Sequence, residues 1–322
     1  MVSPAVSVLV CARNVARYLG EALDSVLAQS WQDYEVVIVL DTSTDGTEAV
    51  ARQYCGRDAR FRTIPGTDKG LTLTRRTGIL AARAPWIAIL DGDDRWLPDK
   101  LRLQMEFLRD NPGVIITSGW GRYMGAGGGV RGTYTLGPAS AEAWQRMRER
   151  MEPVCLLNST VVFRRDIALQ IDPGEPETDV IDDTLMYTRM AEFGSVRTLP
   201  IPLIYYRVLP NSTSGSNIAR QRMLFRWLAA SQRAKLLGER PESPSEFETK
   251  ERSLGIWWRL GRWREDSCAR SYREAGALLA DGRWIGGGAK LARAAVLWPR
   301  YVARKLRMQI WRPWRSRKQG GI

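Results

Sequence analysis

The chain has 322 residues, 26% of them charged and 44% hydrophobic, a balance that fits folded globular protein with room for a large core and a second unit. It contains no histidine, which removes Ser-His-Asp and Cys-His nucleophiles, histidine-ligated zinc and histidine bases together, so proton transfer falls to carboxylate, Tyr, Lys or Cys. Net charge is +13, yet no acid follows Asp281 while Arg283–Lys318 carries eleven Lys and Arg, which leaves about +2 for residues 1–282 and assigns the basicity to a tail.

Val6–Val10 reads as a short buried strand, and the run Ser7–Ala12 meets Arg13 directly, without the leader pattern of a secretory segment. Leu19, Ala22, Leu23, Val26 and Leu27 then follow the 3.6-residue period of a helix. Tyr34–Leu40 is a second apolar strand, ending at Asp41-Thr-Ser-Thr-Asp45-Gly46, a turn-forming segment able to cap a helix over Thr47–Tyr54. Phe61–Ile64 predicts a third strand, Gly66–Gly70 a loop, Leu71–Ala82 a helix and Ile87–Leu90 a fourth strand. Strands alternating with helices across short polar links predict an α/β, doubly wound, mostly parallel sheet flanked by helices, with Asp41 and Asp91–Asp94 at its ligand edge.

The fourth strand ends in Asp91-Gly92-Asp93-Asp94. Carboxylates at the end of a buried strand are costly unless they bind a cation or cap a helix, and open α/β sheets bind ligands at that edge. A cap on a helix starting near Leu97–Lys100 explains one aspartate, not three. Oxygen ligands favour Mg²⁺ or Mn²⁺, ions that keep several waters and bridge to substrate phosphates. Neither a P-loop nor G-x-G-x-x-G is present, so the phosphates of a nucleotide would be handled through a cation.

Farther on, Val114–Ser118 and Trp120–Met124 read as extended, and Gly125–Gly129 as a hairpin or loop rather than a phosphate cradle. Leu156–Phe163 predicts a strand with a polar start at Asn158-Ser159. An acid-rich stretch containing Asp172, Glu175, Glu177, Asp179, Asp182 and Asp183 precedes a helix from Thr184 to Phe193, closed by Gly194. Ile201–Arg207 returns as a strand and Asn211–Ser216 as a polar loop. From Ala219 the chain turns helical and rich in Arg and Trp, interrupted by a linker over Gly238–Ser245, which divides it into a domain of residues 1–217 and a helical, basic region of residues 218–322. No internal repeat is evident. Cys11, Cys55, Cys155 and Cys268 are far apart and form no C-x-x-C pair, which suggests neither a zinc ribbon nor a disulfide framework and fits a reducing compartment. No window reaches the ~18 uninterrupted apolar residues of a membrane span.

Several of these segments, in this order, resemble the family 2 glycosyltransferases across roughly residues 4–210: Val6-Ser-Val-Leu-Val10, Tyr18–Ser30, Val39-Leu-Asp41-Thr-Ser-Thr-Asp45-Gly-Thr47, Gly70–Gly78 and Leu90-Asp91-Gly-Asp93-Asp94. The resemblance implies a GT-A fold and inverting transfer of a sugar from a nucleotide-diphosphate sugar, usually UDP-linked, to a hydroxyl of a glycan or lipid-linked acceptor, with Mn²⁺ or Mg²⁺ as cofactor. It implies that Asp91-Gly92-Asp93 is the D-x-D that holds ribose and metal, with Asp93 and Asp91 as ligands, and that Asp41 recognises the nucleoside. Arg75 matches an arginine close to the donor, and Arg207 one near the diphosphate. Leu40 stands where the first of two acids is usual, and Arg76 where Asn is common. Asp182-Asp183 matches the family's Glu-Asp pair, whose second member is the base, so Asp183 is the expected base. Neighbours on a helix point about 100° apart, so Asp182 is read as an orienting or capping residue, with Asp179 in reserve as base. Trp96 is read either as a platform for the acceptor sugar or as core packing.

The alternatives are a nucleotidyltransferase that makes nucleotide-sugars, whose glycine-rich N-terminal loop is missing at Cys11-Ala-Arg-Asn14, and a non-catalytic binder of nucleotide-sugar or nucleic acid. The tail, residues 283–322, mixes Trp, aliphatic residues and Arg without acids, which fits a helix on an anionic membrane surface and equally a packed helix with a solvated basic face. Nucleic acid is not an expected partner, because the charge is confined to the tail and no recognition motif accompanies it. The expected location is the cytoplasm, with peripheral attachment to the inner face of the plasma membrane through that tail.

Overall fold

The structure is a computed structural model and describes residues 3–171, 176–209, 217–303 and 305–306. The chain divides into two compact units, Met1–Gly121 with Thr135–Tyr206, and Arg122–Tyr134 with Arg207–Ile322.

The first unit begins with the alternation predicted above: β1 (Val6–Ala12), α1 (Ala16–Leu27), β2 (Tyr34–Leu40), α2 (Thr47–Arg57), β3 (Phe61–Pro65), α3 (Leu71–Ala81) and β4 (Trp86–Ile89). β1 lies between β2 and β4 and is parallel to both, and β3 runs parallel to β2. These strands are apolar almost throughout because helices cover the sheet on both faces, as parallel sheets require. Leu19, Ala22, Leu23 and Val26 form the buried stripe of α1. Each large aliphatic side chain so buried contributes roughly 1.5–3 kcal/mol, and cutting one such as Leu23 back to Ala would cost about 2–5 kcal/mol. At the amino-terminal edge the buried Glu35 carboxylate accepts from Ser7 Oγ (2.6 Å), Arg83 N–H (2.6 Å) and Arg62 Nε (3.1 Å). Burial alone would raise its pKa, but these bonds outweigh it and hold it below the usual range, so Glu35 ties strands together at the edge away from the ligands.

After β4 come β5 (Arg95–Trp96), α4 (Lys100–Asp110), β6 (Val114–Met124), β7 (Val130–Tyr134), α5 (Ala141–Glu149), β8 (Val162–Arg164), the single turn α6 (Arg165–Ala168), α7 (Asp182–Met190) and β9 (Ser195–Arg207). The sheet order is β3-β2-β1-β4-β8-β6-β9-β5, with β7 on β6. Beyond β4 the pairing turns antiparallel, at β4 with β8, β8 with β6 and β9 with β5. The two extended segments expected within 114–124 are one continuous strand, and Gly125–Gly129 is the link from β6 to β7, as its flanks suggest.

The strand expected over Leu156–Phe163 is shorter than its apolar pattern. Only Val162–Arg164 pairs, and Asn158–Thr160 forms a 3₁₀ turn. Polar side chains there bond locally instead of extending, as Thr160 Oγ1 does to the Leu157 carbonyl at 2.6 Å. Because β5 intervenes and α4 starts only at Lys100, with Asp99 at its N-cap, neither Asp93 nor Asp94 caps that helix.

In the second unit the end of β6 and β7 accompany α8 (Ile218–Leu236), α9 (Pro244–Ser253), α10 (Ile256–Ala280) and α11 (Trp284–Leu297). The expected linker contains the start of α9, fixed by a reciprocal capping box between Ser243 and Glu246 with Pro244 in the first turn. Arg226 of α8 makes two 2.8 Å bonds to Glu251, and Arg222 reaches Asp266 at 2.6 Å and Glu265 at 3.4 Å. A small apolar core gathers Cys268, Ala294 and Val302 against Tyr272, Leu291, Trp298 and Tyr301. The first part of the basic tail is therefore a packed helix, α11, with one face on α10, while Arg304 and residues 307–322, including Trp311 and Trp314, lie outside the described residues, as do Asp172, Glu175 and the loop Asn211–Ser216. Among the described residues no helix is long and apolar enough to cross a membrane.

Candidate active site

The strand order places the site. β2 and β4 flank β1 on opposite sides, so the chain reverses direction across the sheet at β1, and the crevice beyond the carboxyl ends of these strands is where open α/β sheets take ligands. The ladder continues past the strand ends: Asp41 N–H donates to the Ala12 carbonyl (3.2 Å) and Leu90 N–H to the Leu9 carbonyl (3.0 Å). Asp41 and Asp91 thus project from one edge on either side of Cys11 and Ala12.

Asp41 accepts from Thr74 Oγ1 at 2.9 and 2.8 Å and from Asp68 N–H at 3.1 Å. Gly66 makes room for it, since a Cβ there would lie 2.0 Å from Asp41 Oδ1. Asp45, by contrast, accepts from Ala16 N–H and Thr47 N–H, both at 3.0 Å, and ties the starts of α1 and α2 together.

Thr74 and Arg75 are consecutive on α3 and serve different partners. Arg75 is only 4% exposed, its Nε lies 3.2 Å from Asp182 Oδ2, and its NH1 donates to Asn158 Oδ1 at 3.3 Å. The Nε contact is too poorly aligned to be a hydrogen bond, so the interaction is an ion pair. Asp179, on the turn before α7, accepts from Thr72 N–H (3.2 Å) and Thr72 Oγ1 (2.5 Å). That places the reserve base on the first turn of α3, where a carboxylate offsets the unpaired amides of a helix start.

Asn158 joins the halves of the site. Its Nδ2 donates to Asp91 Oδ1 (2.7 Å), while its Oδ1 accepts from Tyr187 O–H (2.7 Å) and from Arg75. The amide orientation is forced, because a guanidinium only donates and a carboxylate only accepts. Asp91 N–H donates to Ser159 Oγ at 2.9 Å. Burial raises the Asp91 pKa, the nearby Asp183 charge adds to the rise, and Arg75, Ser159 and Asn158 oppose it. Burial likewise holds Tyr187 well above its usual range, so it remains a neutral donor.

Asp182 and Asp183 open α7 and diverge. Asp182 is 6% exposed and paired with Arg75, whereas Asp183 is partly open and accepts from Thr184 N–H at 2.6 Å. Burial pushes Asp182 up to about 7 against the pull of Arg75. Burial also works against the Arg75 charge, but the Asp182 carboxylate outweighs it and raises the guanidinium pKa. That gain requires an ionised Asp182, so the ion pair is the resting state above neutrality and protonation sets in as pH falls through about 7. Cys11, at the centre of this charge, is held up to about 12 by burial despite Arg75.

The structure therefore gathers Asp41, Arg75, Asp91, Asp182 and Asp183 at one edge of the first unit, and Asp93 follows Asp91 on the same turn, partly exposed. Arg207 belongs to the second unit, where it is buried and donates to the carbonyls of Ala126 (3.3 Å) and Gly125 (3.4 Å). Trp96 is core: it is buried, its Nε1–H donates to the Ser159 carbonyl at 2.8 Å, and Lys100 Nζ lies 4.0 Å from its ring centroid. Sequence reasoning missed Thr74, Asn158, Ser159 and Tyr187. The polar triplet Asn158-Ser159-Thr160, set inside an apolar run, was the available signal, of the same kind as the acids after β4.

Asp91 and Asp93 offer oxygen ligands only, which suits Mg²⁺ or Mn²⁺. Among the described residues no three acidic or cysteine side chains gather into a cage. Two carboxylates suffice for an ion that completes its shell with water and substrate phosphate.

The architecture is shared with GT-A glycosyltransferases. The crystal structure of S. aureus TarS 1-349 in complex with UDP-GlcNAc matches with TM-score 0.58 at 15% identity, over 90% of this chain and 91% of that one. The mannosyltransferase PcManGT from Pyrobaculum calidifontis, in complex with GDP-Man and Mn²⁺, matches with TM-score 0.55 at 18% identity, over 98% of this chain and 83% of that one. The family model Glycosyl transferase family 2 matches residues 7–168, and the chain belongs to that family. Its relatives include the putative teichuronic acid biosynthesis glycosyltransferase TuaG of Bacillus subtilis (strain 168), 34% identical over 36% of this chain and 47% of that protein. An uncharacterised glycosyltransferase of Nostoc sp. is 29% identical over 63% of this chain and 64% of that protein. The chain spans less than two thirds of the length of the curated relatives it matches.

Proposed function

We propose that the chain transfers a sugar, with inversion, from a nucleotide-diphosphate sugar to a hydroxyl of a glycan or lipid-linked acceptor. The observation that carries this reading is the linked constellation Asp182, Arg75, Asn158 and Asp91 at the carboxyl edge of β1 and β4, with Asp183 the more exposed member of its acid pair. The UDP-GlcNAc in TarS and the GDP-Man with Mn²⁺ in PcManGT support the substrate class, and the motif pattern favours UDP. Residues 1–217 carry the activity, and residues 218–322 form a helical accessory region.

In this reading Asp41 binds the nucleoside and Asp91 the ribose. Asp93 and Asp91 would hold Mn²⁺ or Mg²⁺, which would supply positive charge to the diphosphate. Asp183 accepts the proton of the acceptor hydroxyl as its oxygen bonds to the anomeric carbon and the bond to the diphosphate breaks, releasing nucleoside diphosphate. Arg75 places cationic charge beside the donor, and Asp182 fixes Arg75. Arg207 enters as a diphosphate contact through its motif match alone. Attachment to the inner face of the plasma membrane is part of the proposal and suits lipid-linked acceptors.

A thermal-shift screen of UDP-, GDP- and dTDP-sugars with Mn²⁺ tests the reading, with turnover followed as nucleoside diphosphate release. Asp93→Ala is expected to abolish the metal-dependent shift. Asp183→Asn is expected to keep the shift and lose about 10²–10⁴-fold in transfer, the usual range for a general base. Wild-type turnover in both variants, or release of pyrophosphate, overturns it.

A further inference from the structure

The second unit carries an exposed apolar face that its core does not use, on the first half of α10. Ile256 is 63% exposed, Trp257 83%, Leu260 45% and Trp263 58%, with Leu254 just ahead at 39%. At about 100° per residue, Ile256, Leu260 and Trp263 form one stripe, with Arg259 on one flank and Trp257 and Arg264 on the other. Both arginines are exposed.

Charge is sorted across the same helix. Ile256–Arg264 contains three Trp, three Arg and no acid. Of the carboxylates that follow, Glu265 lies opposite the stripe and is held by Arg222 of α8 and by Arg262 at 2.7 Å, and Asp266, two turns beyond Arg259 on the same flank, is held by Arg222 and Arg226 of α8. The acids are thus neutralised within the unit, while the exposed first turns present apolar groups edged by Arg259 and Arg264, the latter also donating from NH2 to the Leu297 carbonyl at 3.0 Å.

From this arrangement we infer that the first half of α10 docks on an anionic lipid surface, its Trp, Leu and Ile entering the headgroup boundary and Arg259 and Arg264 meeting lipid phosphates. Large amphipathic aromatics among arginines are what such interfaces select, and each cation near an anionic leaflet adds to the attraction. A second copy of the chain fits poorly, because a two-fold interface on this stripe would oppose arginine to arginine. Single-stranded nucleic acid fits poorly too, because Ile256 and Leu260 at the centre offer no ring for base stacking. This surface is separate from the tail after Arg283 and independent of the donor site, so either reading can fail alone.

The test is flotation of the full-length chain with vesicles of phosphatidylcholine and phosphatidylglycerol, against phosphatidylcholine alone. Wild type is expected to float with the anionic vesicles, less so at high salt. Arg259→Gln/Arg264→Gln is expected to partition roughly thirty-fold less, from about 1 kcal/mol per cation at 1.4 kcal/mol per tenfold. Trp257→Ser/Trp263→Ser is expected to lose flotation while keeping wild-type melting, and both variants should keep donor-induced thermal shifts. Failure of wild type to float overturns the inference, as does flotation of both variants like wild type. So does a lipid-free dimer in wild type that both variants abolish, or binding to single-stranded RNA lost in the variants while flotation is kept.

Discussion

Asp182 and Asp183 are neighbours with different surroundings, one buried against Arg75 and one partly exposed. That burial has a measurable signature. The Asp182 pKa is raised from 3.8 to about 7 by burial, so between those values the folded chain binds a proton that the unfolded chain releases. The stability this contributes is fully present below about pH 4 and is lost as pH rises to about 7. The melting temperature of wild type relative to Asp182→Asn should therefore fall across that window and level off above it. A difference that rises with pH would mean that Arg75, not burial, dominates the carboxylate. The acids themselves were legible as a pair, and the helix spacing separated their roles. Their contrast in burial was not, because it depends on Arg75, whose place beside them is set by the packing of α3 near α7.

At the scale of elements, α3 is the part that assembles the site. Its first turn presents Thr72 to Asp179, the next presents Thr74 to Asp41 and Arg75 to Asp182 and Asn158. Gly70, at φ 107° with Asp179 Oδ2 1.9 Å from where a Cβ would stand, permits that approach. Asp179→Ala should cost about 1 kcal/mol in urea unfolding, the usual worth of a carboxylate serving a helix start. It should also weaken donor-induced stabilisation, because Arg75 and Thr74 ride on the same helix. Unchanged unfolding and donor response would show that α3 is fixed by its packing on β1 and β2 alone. The helix was readable from Leu71 onward, after the loop Gly66–Gly70, but its anchor lies 107 residues away, a separation no local pattern encodes.

Across the whole molecule, the alternating half was the legible one. Parallel strands linked by helices leave a local trace in every crossover, whereas β8, β6, β9 and β5 pair through distant partners, and the short segment Arg122–Tyr134 joins the second unit without a change in composition to announce it. The wide spacing of the cysteines matches their state: all four are free thiols in the structure. Burial raises the pKa of every one of them, Cys11 and Cys155 to about 12. Native protein at pH 8 should accordingly react with iodoacetamide far more slowly than urea-unfolded protein, and dithiothreitol should leave its melting temperature unchanged. Rapid native labelling at Cys11 would show that the floor of the crevice opens in solution.

Asn158 gives the site a property of its own. An amide neither takes up nor gives away a proton near neutrality, yet this one touches the Asp91 carboxylate on one side and the Tyr187 phenol and Arg75 guanidinium on the other. It works as an insulator: each side feels the charge of the other, but no proton can travel along that bridge. A proton taken up at Asp183 would therefore have to leave by a path other than that bridge to Asp91.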